Sequence, residues 1–316
     1  MYRIQYHRYG GPETMRLEEF ELPPPQAGQV AVTVKAAAVN PIDWKVRQGQ
    51  LKMMTGRSFP RAMGSDFAGV VRAVGPGVTR FAPGDQVYGI TGLKPSGAFA
   101  EAVITSECHL AVMPAGLSFE QAACLATPAV MAWSGLIDRA GLQRGQRVFV
   151  NGCTGGVGEA VVQLARLRGA TVAGTCSLAS LPRARELGVD PVYDYAATSP
   201  ADLPDLRGAF DVVFDTNGTL TVRAAMRMLT KTGVFLDINA SPAKFLHAAL
   251  ARRHKIFFCT PATQILTDVA RAAADGGIRM AVGETVPVEA ATGLITELEK
   301  GRKIGGKGLI LLDQVG

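Results

Sequence analysis

Gly152, Gly155, Gly156 and Gly158 crowd into the end of one short stretch, RVFVNGCTGGVG (147–158). Glycines there let the backbone approach a pyrophosphate closely, and a helix starting at such a turn offers free N–H groups and the positive end of its dipole. Gly155 and Gly158 take the second and third places of G-x-G-x-x-G, while Cys153 stands in the first. The chemistry implied is dinucleotide binding; the plainer alternative is a turn that only packs a helix on a sheet. A second polar group, Asn40, Asp43 and Lys45 in NPIDWKVRQG (40–49), follows directly on an apolar run, where a cleft residue would sit. Asp43 is also placed to cap a short helix after the turn at Asn40-Pro41. No Ser-His-Asp, Cys-His or paired-carboxylate pattern stands out. His7, His109, His247 and His254 form no H-E-x-x-H motif, and Cys108, Cys124, Cys153, Cys176 and Cys259 show no C-x-x-C spacing. Cys108 and His109 are adjacent and, in an extended segment, point to opposite faces, so no metal is expected there.

These residues need a frame. RVFV reads as a strand, the helix after the glycines repeats apolar residues at Val157, Val161, Leu164 and Ala165, Gly169 stops it, and TVAGTC (171–176) is the next strand. Further strands are expected at PVYDY (191–195), FDVVFDT (210–216), GVFLDI (233–238) and KIFFCT (255–260), with helices between them, including 220–229 and PAKFLHAALARR. Six strands alternating with helices predict an α/β fold with a doubly wound parallel sheet. Ahead of it, RLEEFEL (16–22), VAVTVKAAAV (30–39), residues 64–89 and SGAFAEAVIT (96–105) predict a compact, barrel-like β domain punctuated by G-P-G and A-P-G-D turns. Ser118 with Gln121 resembles a capping box, and Pro128 should kink the helix that follows or start a second one. The tail predicts a helix at 263–274, a β segment near 284–288, a helix at 290–299 and a strand GLILLD (308–313) returning to the first domain. The expected division is 1–117 with 262–316 for the β-rich catalytic domain and 118–261 for the nucleotide domain.

Composition bounds the function. With 316 residues, 47% hydrophobic and 19% charged, the chain has the balance of a soluble protein of two domains. The net charge of +6 is scattered, which favours a solvated surface over nucleic-acid binding. No apolar run is long enough to span a bilayer, MYRIQYHRYGG lacks the core of a signal peptide, and the odd cysteine count argues against a disulfide framework. A cytoplasmic protein is expected.

Several stretches together resemble the zinc-free branch of the medium-chain dehydrogenase/reductase superfamily, the quinone oxidoreductase (zeta-crystallin-like) group. They are YGGPETMRLEEFELPPP, AVNPIDWKVRQG, GSDFAGVVRAVGPGVTRFAPGDQVYG and AWSGLIDRAGLQRGQRVFVNGCTGGVGEAVVQLAR. The resemblance covers nearly the whole length. It implies a GroES-like domain beside a Rossmann domain, a small-molecule quinone or enone substrate, and a homodimer. Zinc enzymes of the superfamily carry a ligand cysteine where this chain has Asn40 and a ligand histidine where it has Ser65. The implied reaction is therefore metal-free hydride transfer from NADPH to a quinone or an α,β-unsaturated carbonyl. The alternatives are an enoyl-thioester reductase and a non-enzymatic NADPH-binding protein. Asn40 and Lys45 are then candidate donors to the developing oxyanion, with Asp43 orienting them or only capping its helix. The cofactor would be held by Thr154, Gly155, Gly156 and Val157 at the pyrophosphate. Ser177, Arg183 and Tyr195 would serve the adenosine end, and Thr127, Asn239, Cys259, Thr260 and Lys307 the nicotinamide end. Met131 stands where the family often has threonine, and Thr127 lies on the same helical face four residues earlier. The second strand ends in Thr175-Cys176-Ser177 with no acid, which favours a 2′-phosphate over a free ribose hydroxyl. Arg183 and Arg185 can supply charge there or be ordinary surface arginines.

Overall fold

The computed structural model describes residues 1–94, 96–197, 204–239 and 241–312. The chain forms two compact units, one of Met1–Thr127 with Pro261–Gly316 and one of Pro128–Thr260.

The first unit begins with β1 (Tyr2–Tyr6), β2 (Arg16–Glu19) and β3 (Gln29–Ala38), then α1 (Pro41–Arg47) and α2 (Lys52–Thr55). Strands β4 (Arg61–Ala62), β5 (Asp66–Val74), β6 (Gln86–Ile90), β7 (Ala102–Ser106) and β8 (Leu110–Val112) follow, and then α3 (Phe119–Trp133). Ser118 caps α3, its hydroxyl accepting from the Gln121 N–H at 3.3 Å. No second helix starts at Pro128: α3 runs through it and passes into a π-helical turn at Ser134–Arg139. Leu125, Ala126, Val130 and Ala132 are fully buried, and that burial outweighs the roughly 3 kcal/mol that a proline costs inside a helix.

The second unit is built of β9 (Arg147–Asn151), α4 (Gly156–Leu167), β10 (Thr171–Cys176), α5 (Leu181–Glu186), β11 (Val192–Asp194), β12 (Phe210–Asp215), α6 (Val222–Met228), β13 (Leu229–Asp237), α7 (Pro242–Leu250) and β14 (His254–Ile256). Its six strands lie in the order β11-β10-β9-β12-β13-β14, all pairs parallel. This is the predicted doubly wound sheet, with the strand order reversing after β9. Phe149, Val213 and Phe235 are fully buried, as expected for central parallel strands that are apolar along their length. The sixth strand is shorter than the apolar run KIFFCT, so Cys259 and Thr260 lie beyond it.

The chain then returns to the first unit with α8 (Thr263–Ala274), β15 (Val282–Pro287), α9 (Ala291–Glu299) and β16 (Lys307–Leu311). Of the predicted last strand, Asp313 lies outside the described residues. Strand β16 pairs parallel with β15 and antiparallel with β3, in a seven-stranded sheet ordered β15-β16-β3-β5-β6-β8 with β7 also on β3. A three-stranded sheet β2-β1-β4 completes the β-rich unit. Val32, Val34, Phe67, Phe99, Leu110 and Ile310 form its core. No helix among the described residues is long and apolar enough to cross a membrane.

Candidate active and cofactor sites

In the first unit, the end of β3, the start of α1 and the start of β5 deliver polar side chains into one buried cluster. Asn40 precedes α1, and its N–H donates to Asp43 Oδ2 at 2.7 Å. That is the helix-capping role open to Asp43 from sequence. The other Asp43 oxygen meets the Ser65 hydroxyl at 2.8 Å. Asp66, fully buried, accepts from Asn40 Nδ2 at 2.8 Å, from the Thr127 N–H at 3.0 Å and from the Thr127 hydroxyl. Lys307 closes the cluster: its Nζ donates to Val39 O at 2.8 Å and to Asn40 Oδ1. Thus both ends of the Asn40 amide are engaged within the cluster. Its second N–H reaches only Ala38 O, at a long 3.4 Å, and is the one that could turn to a substrate oxygen while Asp66 keeps the first.

The charges follow from these partners. Asp66 receives three donors on its two oxygens, an arrangement that suits a carboxylate. Burial nonetheless raises its pKa, with the Lys307 ammonium and the hydrogen bonds from Thr127 and Asn40 opposing. Asp43 is pushed up to about 7, by burial first and the neighbouring Asp66 charge, against its hydrogen bonds from Asn40 and Ser65. Near neutrality Asp43 is therefore partly protonated, and in that form the Ser65 oxygen can accept from it. Lys45 lies two residues on, half-buried, with its pKa lowered by desolvation. The cluster contains one ammonium and two carboxyl groups. Among the described residues, no three side chains of His, Cys, Asp or Glu stand together as a ligand group.

In the second unit, the glycine stretch forms the turn from β9 into α4. Gly152 has φ +85°, and a Cβ on it would meet Asn217 Nδ2 at 2.5 Å. A Cβ on Gly158 would lie 2.0 Å from Gly152 O, so this glycine lets helix and turn pack. Gly155 differs, for its Cβ would meet only Gly152 O, at an ordinary 3.5 Å. The turn therefore needs Gly152, one place before the position matched to Cys153, which is buried beneath it. Helix α4 begins after Gly155 with no side-chain cap, while Thr154 to Val157 are at least partly exposed. An uncapped helix start on an open glycine turn fits an anionic pyrophosphate.

At the end of β10, the Tyr195 N–H donates to Cys176 O at 3.1 Å, which brings Tyr195 beside Ser177. The Ser177 hydroxyl shares a hydrogen bond of 2.9 Å with that of Ser180. Arg183 is not a free cation: its Nε donates to the buried Glu159 of α4 at 2.9 Å, and its Nη1 to Glu186 at 3.3 Å. Its charge is thus largely matched before any phosphate arrives. Asn239, exposed after β13, donates through Nδ2 to Asn217 O at 3.2 Å. Cys259 is half-buried and Thr260 exposed beyond β14.

The structure thus gathers Asn40, Asp43, Thr127 and Lys307 in one unit, and in the other sets Ser177 beside Tyr195. Sequence reasoning had assigned no role to Asp66, or to Asp215 and Asp237, buried at the ends of β12 and β13. A signal existed for the last two, since an acid closing an apolar parallel strand has to find partners.

Comparison with known proteins agrees with the fold. Residues 26–115 match the family Alcohol dehydrogenase GroES-like domain, and 156–246 match Zinc-binding dehydrogenase. The quinone-oxidoreductase homolog, chloroplastic, of Spinacia oleracea is 31% identical over 253 residues, 78% of this chain and 77% of that protein. The 2-methylene-furan-3-one reductase of Solanum lycopersicum is 39% identical over 222 residues, 67% of this chain and 56% of that protein. The solved quinone oxidoreductase of Coxiella burnetii superposes with a TM-score of 0.88 at 26% identity, covering 99% of each chain. With both family matches, this similarity and the parallel sheet in place, the chain belongs to the quinone oxidoreductase group of the medium-chain dehydrogenase/reductase superfamily.

Proposed function

We propose that this oxidoreductase is an NADPH-dependent, metal-independent reductase of quinones or α,β-unsaturated carbonyls. The observation that carries the reading is the open glycine turn at the uncapped start of α4, beside a second strand that ends at Cys176 and is followed by Ser177, with no acid. Thr154 to Val157 would hold the pyrophosphate, Ser177 and Tyr195 the adenosine end, and Asn239 the nicotinamide end. When bound, the cofactor supplies a hydride. A quinone or enone is already electrophilic and needs no Lewis acid, only alignment and a donor for the developing negative charge. The Asn40 cluster supports metal independence: Asn40 and Ser65 are poor replacements for soft zinc ligands, and the Lys307 ammonium already supplies a cation there. Asp43, pushed up to about 7, is partly protonated near neutral pH, which suits a reductase that must also deliver a proton.

The test is oxidation of NADPH and NADH by chelator-treated protein with a panel of quinones, enones and enoyl thioesters, together with titration of both cofactors. NADPH turnover with quinones or enones is expected, without metal. Preference for enoyl thioesters would move the protein to a biosynthetic reductase, and activity restored only by zinc would refute metal independence. Ser177→Asp sets a carboxylate against the 2′-phosphate and should weaken NADPH binding at least about tenfold while NADH binding holds. A variant that keeps its NADPH preference would mean that Ser177 does not read the phosphate.

A further inference from the structure

The C-terminal ends of β12 and β13 hold a buried polar network that the glycine turn does not explain. Asp215 Oδ1 accepts from Asn151 Nδ2 at 2.8 Å, from the Asn217 N–H at 3.2 Å and from the Gly218 N–H at 2.9 Å. Its other oxygen accepts from the Leu220 N–H at 3.0 Å. Asp237 Oδ1 accepts from the Asn239 N–H at 2.9 Å. Both carboxylates are wholly buried. Lys244, from α7, reaches between them: its Nζ lies 2.8 Å from Asp237 Oδ2 and 3.4 Å from Asp215 Oδ2, and donates to Gly218 O at 3.1 Å. The contact with Asp237 is close but off the hydrogen-bond line, so it acts by charge. His254 Nε2 stands 3.8 Å from the same Asp237 oxygen, with His247 against the far side of its ring.

The loops held in this way touch each other and the glycine turn. Asn239 Nδ2 donates to Asn217 O, and a Cβ on Gly218 would lie 2.5 Å from Asn239 O. Asn217 in turn packs against Gly152, and the Thr216 hydroxyl donates to Asn151 O at 2.7 Å. One ammonium therefore fixes two loops at the strand ends where a doubly wound sheet binds its ligand. Stability alone is a poor reason for such a group, because apolar residues of similar volume often stabilise a fold as well as a buried ion pair does.

We infer that Lys244 is a positioning residue for the nicotinamide half of the bound dinucleotide, holding the Asn217–Gly218 and Asn239 loops in their binding arrangement. The inference rests on the proposed cofactor reading. It concerns only the half of the ligand beyond the pyrophosphate, since the adenosine end at Ser177 and Tyr195 lies on the β10 side of the sheet.

That asymmetry supplies the test. Lys244→Gln keeps a hydrogen-bond donor and removes the charge. Lys244→Met with Asp237→Asn removes charge from both partners, leaves an oxygen for the Asn239 N–H, and guards against a single variant that fails to fold. Each is titrated with NADPH and with adenosine 2′,5′-bisphosphate, which has no nicotinamide half; NADH and AMP serve as the pair if the wild type takes the unphosphorylated cofactor. Loss of pre-organisation should weaken the whole cofactor about tenfold and the fragment less than about twofold. Equal weakening of both would make Lys244 a general support of the fold and overturn the inference, as would unchanged affinity for the whole cofactor in a folded variant. A wild type that binds neither dinucleotide would overturn the cofactor reading, and the inference with it.

Discussion

A carboxyl buried beside another carboxyl must keep a proton or find a cation, and at the Asn40 cluster there is one cation for two acids. Asp43 titrates near 3.8 in an unfolded chain and about 7 in the folded protein. Between those values the folded state holds the extra proton, so this residue's contribution to stability is full below about pH 4, falls as pH rises, and levels off above 7. The upper bound of the loss is on the order of 4 kcal/mol. Asn in place of Asp43 keeps an acceptor for the Asn40 N–H and cannot titrate. Chemical denaturation of wild type and Asp43→Asn at pH 5 and pH 8 should show a smaller drop in the variant; equal drops would place the proton elsewhere. His254, whose pKa is lowered mainly by burial, works in the opposite direction at acid pH, and subtracting variant from wild type cancels it. At this scale the sequence joined Asn40 with Asp43 and set Thr127 and Lys307 apart from them, at the nicotinamide end. Asp66, which binds both Asn40 and Thr127, is separated from each by chain that only tertiary folding closes.

Strand, turn and helix around the glycines make a unit in which each glycine has a different reason to be there. At Gly158 an added methyl group would strike Gly152 O, so Gly158→Ala should destabilise the protein by roughly 1–3 kcal/mol. At Gly155 the same group meets no close neighbour and φ is −75°, so Gly155→Ala should melt like wild type. If the pyrophosphate passes over this turn, Gly155→Ala should still bind NADPH more weakly. Melting curves and cofactor titrations on the two variants separate packing from ligand approach, and wild-type affinity in Gly155→Ala would move the ligand off the turn. Elements of this kind were legible in advance because strand, turn and helix each carry a local signal. The sixth strand was less so. Lys255 and Ile256 pair with β13, but Phe257, past β14, is buried against Phe214 with ring centroids 5.9 Å apart, and Phe258 is exposed, so only part of the apolar run KIFF reported pairing. Helix α3 continues through Pro128 and no second helix starts there, a local penalty overruled by burial along its length.

Across the whole molecule, the β-rich unit is assembled from both ends of the chain. Ala38 of β3 is paired with Leu309 of β16, and β16 also carries β15. Ending the chain at Ile304 would strip two strands of their partner and remove Lys307 from the Asn40 cluster. The expected outcome is loss of cooperative unfolding in the β-rich unit, with exposed apolar surface that binds a reporter dye. A truncated protein that melts like wild type would show the last strand to be dispensable. The same threading orders events during synthesis. Residues of the parallel sheet leave the ribosome as one uninterrupted block, whereas β3 emerges early and waits for β16 until that whole block has been made. Through that interval the end of β3, at Ala36, Ala37 and Ala38, presents an unpaired edge, and the nascent chain needs shielding there until β16 arrives.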